Sequence, residues 1–335
     1  MAGVSVRGQL ARYLVEQRRD IPTATISSPS LQARTPLSSD TNAAASPLDD
    51  FLDWCLARPG VSKFLDFEAG RTHYLEWAGP ENAETLLLVH GFMGHARWWD
   101  FVAPVLAESY RVVSMDLGGM GDSSYRPPYT LERYVDEIAN LIQRKSVAPL
   151  TLIGHSFGGR CTILTAYSHP ELIRRAIVVD SHVSFPDPTR KPVFSGTPMR
   201  DKKHYADLET AKRRFRLVPE EPGTPVRIFD HVAGHALKRD GDGWIWKFDP
   251  LIAERGEKPA VSDARALPLL KVPLDYVYGQ WSKVVPHEHA LKIAAAIPEG
   301  RAPIVIPGAY HHVPVGQPQA LASVLLALLA PNRKS

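Results

Sequence analysis

The stretch "LTLIGHSFGGRCTIL" (residues 150–164) changes character at its middle. Thr151, Leu152 and Ile153 are β-branched or apolar and suit a strand buried on both faces. Beyond Ser156 the pattern resumes as a helix, so the chain has only a few residues in which to reverse. Gly154 and Gly158 stand two residues either side of Ser156. Without Cβ atoms they let strand and helix approach closely, while Ser156 takes a strained backbone conformation that pushes its hydroxyl out of the turn. The pattern G-x-S-x-G in a strand–turn–helix context points to a nucleophilic serine above the end of a sheet. A glycine-rich turn without chemistry is the competing reading, and the rest of the chain has to decide between them.

Outward from that stretch, strand and helix patterns alternate about every thirty residues, which predicts right-handed crossovers and a parallel sheet covered on both faces. "TLLLVHGF" reads as a buried strand, "RWWDFVAPVLAES" as a helix, "YRVVSMDLGGMGDSS" as a strand with a glycine-rich loop, and "LERYVDEIANLIQRK" as an amphipathic helix. Before them, "SKFLDF" and "RTHYLEWAG" alternate as antiparallel strands. The rhythm holds through "RRAIVVDSH", ending at Asp180, then breaks over residues 183–262, which carry many prolines, the basic run from Arg190 to Arg216 and the aromatic group "GWIWKFDP". It returns at "VPLDYVYG". The expected organisation is an α/β core over 49–182 and 263–335, with residues 183–262 inserted as a helical cap. Residues 1–48, rich in Ser, Thr, Ala and Pro after an arginine-bearing start, read as a disordered or linker-like tail.

At 335 residues, with 44% apolar and 9% aromatic side chains, the chain can build a large core. Its 39 Lys/Arg against 36 Asp/Glu leave a net charge of +3 and give no reason to expect a nucleic-acid partner. The two cysteines, Cys55 and Cys161, read as reduced thiols rather than a disulfide framework. The longest apolar stretch, "ALASVLLALLA", is too short to span a bilayer. A cytoplasmic location is expected, with a mitochondrial one as the alternative if residues 1–48 act as a transit segment. Oligomeric state is not legible.

Ligands of a parallel α/β sheet bind beyond the carboxyl ends of its strands, and four such ends carry informative residues. They are "HGFMG" (90–94), "DLGGMGDSS" (116–124) in the pattern D-x-x-G-x-G-x-S, "GHSFGG" (154–159) and "PGAYHHVP" (307–314). In this order and spacing residues 60–330 resemble the α/β-hydrolase superfamily, and within it the capped, esterase-like serine hydrolases. The resemblance implies Ser156 as nucleophile, His311 as its base with His312 as the alternative, and an oxyanion hole from the main-chain N–H groups of Phe92 and Phe157. Most members place the acid in a G-x-x-D pattern, where this chain has Gly279-Gln280-Trp281-Ser282. Some place it at the end of the strand before the cap, which selects Asp180; Asp275, inside a predicted strand, is the weaker candidate.

A serine nucleophile implies acyl transfer to water. Hydrolysis of a small-molecule carboxylic ester leads, with C–C bond, thioester or lactone cleavage on the same triad as alternatives. A non-catalytic binding protein is the reading from another class, and the intact Ser156 and His311 argue against it. No cofactor is implied. His231 with His235, and His287 with His289, lack the H-E-x-x-H arrangement or a further placed ligand, so no metal site is expected. Trp98, Trp244 and Trp246, with Trp99, are the candidate substrate-binding side chains.

Overall fold

The computed structural model describes residues 46–68, 70–185, 203–253 and 261–330. The chain divides into two compact units, Met1–Trp54 and Cys55–Ser335. Of the first, the described part is the opening of a helix, Pro47–Leu56. The remaining readings for residues 1–45, and the first part of the basic run (190–202), fall outside the described residues.

The second unit is built on one eight-stranded sheet in the order β1-β2-β4-β3-β5-β6-β9-β10. The strands are β1 (Val61–Phe67), β2 (Gly70–Trp77), β3 (Thr85–Val89), β4 (Arg111–Met115), β5 (Leu150–His155), β6 (Ile173–Val179), β9 (Leu274–Gly279) and β10 (Ile304–Ile306). β1 and β2 are antiparallel to each other, β2 is antiparallel to β4, and every pairing from β4 to β10 is parallel. All residues of β3, β5 and β9 are buried, the condition under which a strand reads as a continuous apolar run. The helix Leu131–Arg144 shows how the faces are covered. Thr130 caps it by accepting the N–H of Arg133, and Tyr134, Val135, Ile138, Ala139, Leu141 and Ile142 form its buried stripe.

Register is what builds the site. Val89 pairs with Gly154, His155 with Val179, Val179 with Val277, and Gly279 with Ile306. The carboxyl ends of five strands are therefore level, and the residue after β5, Ser156, starts beside the residue after β6, Asp180.

Two sequence expectations need revision. "RWWDFVAPVLAES" is a 3₁₀ turn, Ala96–Trp99, followed by a separate helix, Ala103–Ala107. Pro104 stands in the first turn of that helix, where its missing N–H costs nothing, and Trp98 and Trp99 are buried in the turn before it. The insert between β6 and β9 is not purely helical either. Besides the helices Leu208–Lys212 and Val226–His235 it holds a hairpin of β7 (Leu237–Asp240) and β8 (Gly243–Trp246), with Gly241 at φ +56° in the turn. The Asp-Gly pairs of "RDGDGW" are the local signal for it.

Candidate active site

Ser156 has φ 52° and ψ −116°, a region sparsely populated by residues with a side chain. Its N–H donates to Val179 O (2.9 Å), which fixes the turn to the end of β6. The flanking glycines are required by close packing. A Cβ on Gly154 would collide with the carbonyl of Gly158 and with Thr162 Oγ1, and one on Gly158 would lie 2.5 Å from the carbonyl oxygens of Val89 and His90. Ser181 Oγ donates to the carbonyl of Ser156 (2.6 Å) and braces the turn from below.

Ser156 Oγ donates to His311 Nε2 (2.9 Å), and His311 Nδ1 donates to Asp180 Oδ1 (2.8 Å). Asp180, itself at φ 46°, is fully buried. Its Oδ2 accepts the N–H of Gly279 (2.7 Å), and its Oδ1 also accepts Ser282 Oγ (2.7 Å). Burial pushes this carboxyl above its ordinary range, while the bonds from His311, Gly279 and Ser282 pull the other way. Ser282, the position at which the resemblance puts the acid in most members, thus donates to Asp180, the residue that follows β6. Asp275 lies elsewhere, bonded to Arg175 (Nε to Oδ2, 2.6 Å). His312 turns away from Ser156, its Nε2 donating to Pro219 O (3.0 Å), and burial pushes it down to about 3.

The loop after β3 is set by His90. Its Nε2 accepts the N–H of Leu117 (3.1 Å) and its Nδ1 donates to Gly91 O (2.7 Å), which fixes one neutral tautomer; burial holds its pKa down. Gly91 comes close to Ser156, since a Cβ there would lie 3.3 Å from Ser156 Cβ. Among the described residues, neither the main-chain N–H of Phe92 nor that of Phe157 donates to a protein acceptor. Their rings meet edge to face at 5.6 Å, which anchors both amides.

The D-x-x-G-x-G-x-S loop resolves into a polar knot. Asp116 accepts from His73 Nδ1 (2.7 Å), Ala96 N (2.5 Å) and Asp122 N (2.8 Å), and Ser123 Oγ donates to Asp116 O (2.7 Å). Gly121, at φ +57°, leaves the space its carboxylate fills.

The tryptophans separate. Trp98 is buried, stacked on His155 at 6.1 Å and edge-on to His312 at 5.4 Å. The ring contacts of Trp244 and Trp246 lie inside the insert. Trp246 packs on Tyr205 and Phe215, and Trp244 carries Arg239 over its ring. Both lie against a small core of Tyr205, Ala211 and Leu237.

Sequence reasoning missed His155, whose Nε2 donates to His311 O (2.8 Å), and Glu221, a buried carboxylate of the insert set against the His311 loop. His155 lies inside the quoted motif. Glu221 sits in an unremarkable "PEEPG" and has no local signal. His155, His311 and His312 bring ring nitrogens within 4.8 Å of one another. Both nitrogens of His311 are already bonded, so ligation of an ion there would break its bond to Ser156 or to Asp180.

A family model for the alpha/beta hydrolase fold matches residues 84–316. A serine hydrolase-like protein of Danio rerio is 22% identical over 277 residues, covering 76% of this chain and 84% of that protein. Epoxide hydrolase 4 of Mus musculus is 32% identical over 167 residues, 49% of this chain and 44% of that protein. The thioesterase domain from the curacin biosynthetic pathway superposes with a TM-score of 0.68 at 25% identity, covering 80% of this chain and 99% of that domain. With its parallel sheet, its serine turn and a family match over most of its length, the chain belongs to the α/β-hydrolase family.

Proposed function

We propose that this α/β hydrolase cleaves carboxylic esters through an acyl-enzyme on a Ser156–His311–Asp180 triad. The observation that carries the reading is the continuous bond chain from Ser156 Oγ through His311 to Asp180. In this mechanism His311 Nε2 takes the hydroxyl proton as Ser156 Oγ attacks the acyl carbon, and Asp180 stabilises the imidazolium so formed. The N–H groups of Phe92 and Phe157 receive the oxyanion. His311 then returns the proton to the leaving alcohol, and a water activated by the same ring releases the acid. The described part of the insert serves as a cap over the site, and Trp98 backs its histidines.

Epoxide opening in this fold uses a carboxylate nucleophile. Position 156 holds a serine, which argues against that activity despite the similarity to an epoxide hydrolase. The likeness to a thioesterase domain favours thioesters as the second reading, since the same acyl-enzyme forms from either. The test is a panel of acyl esters of increasing chain length run beside a thioester and a vinylogous diketone, with fluorophosphonate labelling of wild type and Ser156→Ala. Turnover of esters and labelling abolished in the variant are expected. Labelling of Ser156→Ala at the wild-type rate would place the nucleophile elsewhere.

A further inference from the structure

Glu221 reaches from the insert to the loop that carries His311. One carboxylate oxygen, Oε1, accepts the N–H of Tyr310 (3.2 Å), and the other, Oε2, accepts the N–H of His312 (2.8 Å). A single side chain therefore holds the amides on either side of the base. The same stretch of the insert supplies a third bond, from His312 Nε2 to Pro219 O (3.0 Å).

The fold makes room for this carboxylate. Gly316 closes the short helix Val313–Gly316, and a Cβ there would collide with Glu221 Oε1. Its backbone is not in the left-handed region, so the glycine answers to the carboxylate rather than to its own conformation. Glu221 is 8% exposed, and among the described residues no Lys or Arg forms an ion pair with it. Burying a carboxylate on two amides without a cation is unfavourable for stability. A function for the charge is the natural reason for its place.

Resting on the reading of Ser156, His311 and Asp180 as a hydrolytic triad, we propose that Glu221 is a positioning residue. Its ionised carboxylate clamps the main chain on both sides of His311 and ties the place of the base to the seating of the insert. The groups facing it are His311, whose charge would favour the carboxylate, Asp180, whose charge opposes it, and His312, held neutral by burial. Burial pushes Glu221 up to about 7, with Asp180 adding to this and the N–H groups of His312 and Tyr310 opposing it. When protonated, one oxygen bears a hydrogen and one amide loses its acceptor. Protonation of Glu221 then loosens the loop, and the acid limb of kcat/KM should include an ionisation that belongs to Glu221.

The experiment uses the full chain with a fluorophosphonate probe and the best ester, over pH about 5 to 9. Glu221→Gln keeps the shape but sets an NH₂ group against one of the two amides. We expect kcat and the labelling rate to fall by about 10- to 100-fold, with KM little changed and the Glu221 ionisation absent from the acid limb. The melting temperature above pH 7 should hold or rise, because the buried charge has gone. Gly316→Ala, which displaces the carboxylate without touching it chemically, should reproduce the loss. A wild-type rate with an unchanged acid limb in Glu221→Gln would overturn the clamp. So would a loss matched by a fall in melting temperature with the limb unchanged, which marks a structural tie only. If wild type is not labelled, or Ser156→Ala labels equally, the hydrolase reading fails. The clamp is then decided by the low-field NMR signal of the His311 Nδ1–H, which Glu221→Gln should broaden or shift and which an idle Glu221 would leave alone.

Discussion

Asp180 uses both of its oxygens, one shared by His311 and Ser282 and the other bonded to Gly279 N. Replacing it by Asn puts a donor opposite His311 Nδ1, so the ring loses both its orientation and the charge that stabilises it. Asp180→Asn should lower kcat by two to four orders of magnitude, about 3 to 5 kcal/mol. Asp275→Asn should leave turnover nearly intact, because Asp275 answers to Arg175. Ser282 Oγ already reaches the same carboxylate, so Asp180→Asn combined with Ser282→Asp should recover part of the rate. Steady-state kinetics on the three variants decide this, and near-normal activity of Asp180→Asn alone would sink the assignment. Asp116 carries a stability prediction instead. Burial raises its pKa, but the His73 bond and charge, with the Asp122 N–H, more than offset this and hold it to about 2. Since the folded value lies below the ordinary one of about 3.9, the stabilisation is complete above about pH 5 and is lost as the pH falls toward 2. Denaturation of wild type and Asp116→Asn should show a gap that narrows through this window; a gap independent of pH would count against it.

At the scale of elements, the turn between β5 and the helix Phe157–Ser168 is a tight join. Gly158 faces the carbonyls of Val89 and His90, which belong to a central strand and its loop and have no room to retreat. Gly158→Ala should therefore cost about 3 kcal/mol or more, or prevent folding. Gly234 is the contrasting case, inside the helix Val226–His235, where a Cβ would meet nothing within 4 Å. Gly234→Ala should stabilise by up to about 1 kcal/mol through helix propensity alone. Paired thermal melts test both, and equal behaviour of the two variants would mean that the packing at β5 is looser than its geometry implies.

The whole molecule joins its insert to the loops that follow β3 and β4. His95 Nε2 donates to Val232 O (3.0 Å), His231 Nε2 donates to Asp100 (2.8 Å), Lys247 pairs with Asp122 (2.7 Å), and Tyr129 donates its hydroxyl to Asp249 (2.7 Å). Because those loops lie at the carboxyl ends of the strands, the insert stands over the end of the sheet where Ser156 emerges. Among the described residues no helix is long and apolar enough to cross a membrane. We expect short or medium acyl groups, or bulky aromatic esters, to be preferred over long lipids, and strong activation by emulsified triglyceride would refute this. The parallel sheet, the serine turn and the glycines around it were legible in the chain, because each rests on neighbours a few residues apart: alternation, apolar runs, and positions where a Cβ has no space. The hairpin in the insert has a local signal in "RDGDGW" that the reading of a helical cap passed over. The motifs, through the resemblance they carry, also pointed to Ser156, His311 and Asp180, which the structure brings together from 131 and 155 residues apart. Only the tertiary structure decided that Ser282 bonds to Asp180, that Trp244 and Trp246 pack within the insert, and that Glu221 accepts the amides on either side of His311 from 89 and 91 residues away. Such contacts depend on how the insert docks on the sheet, and a docking set by many weak long-range bonds leaves no periodicity in the chain to read.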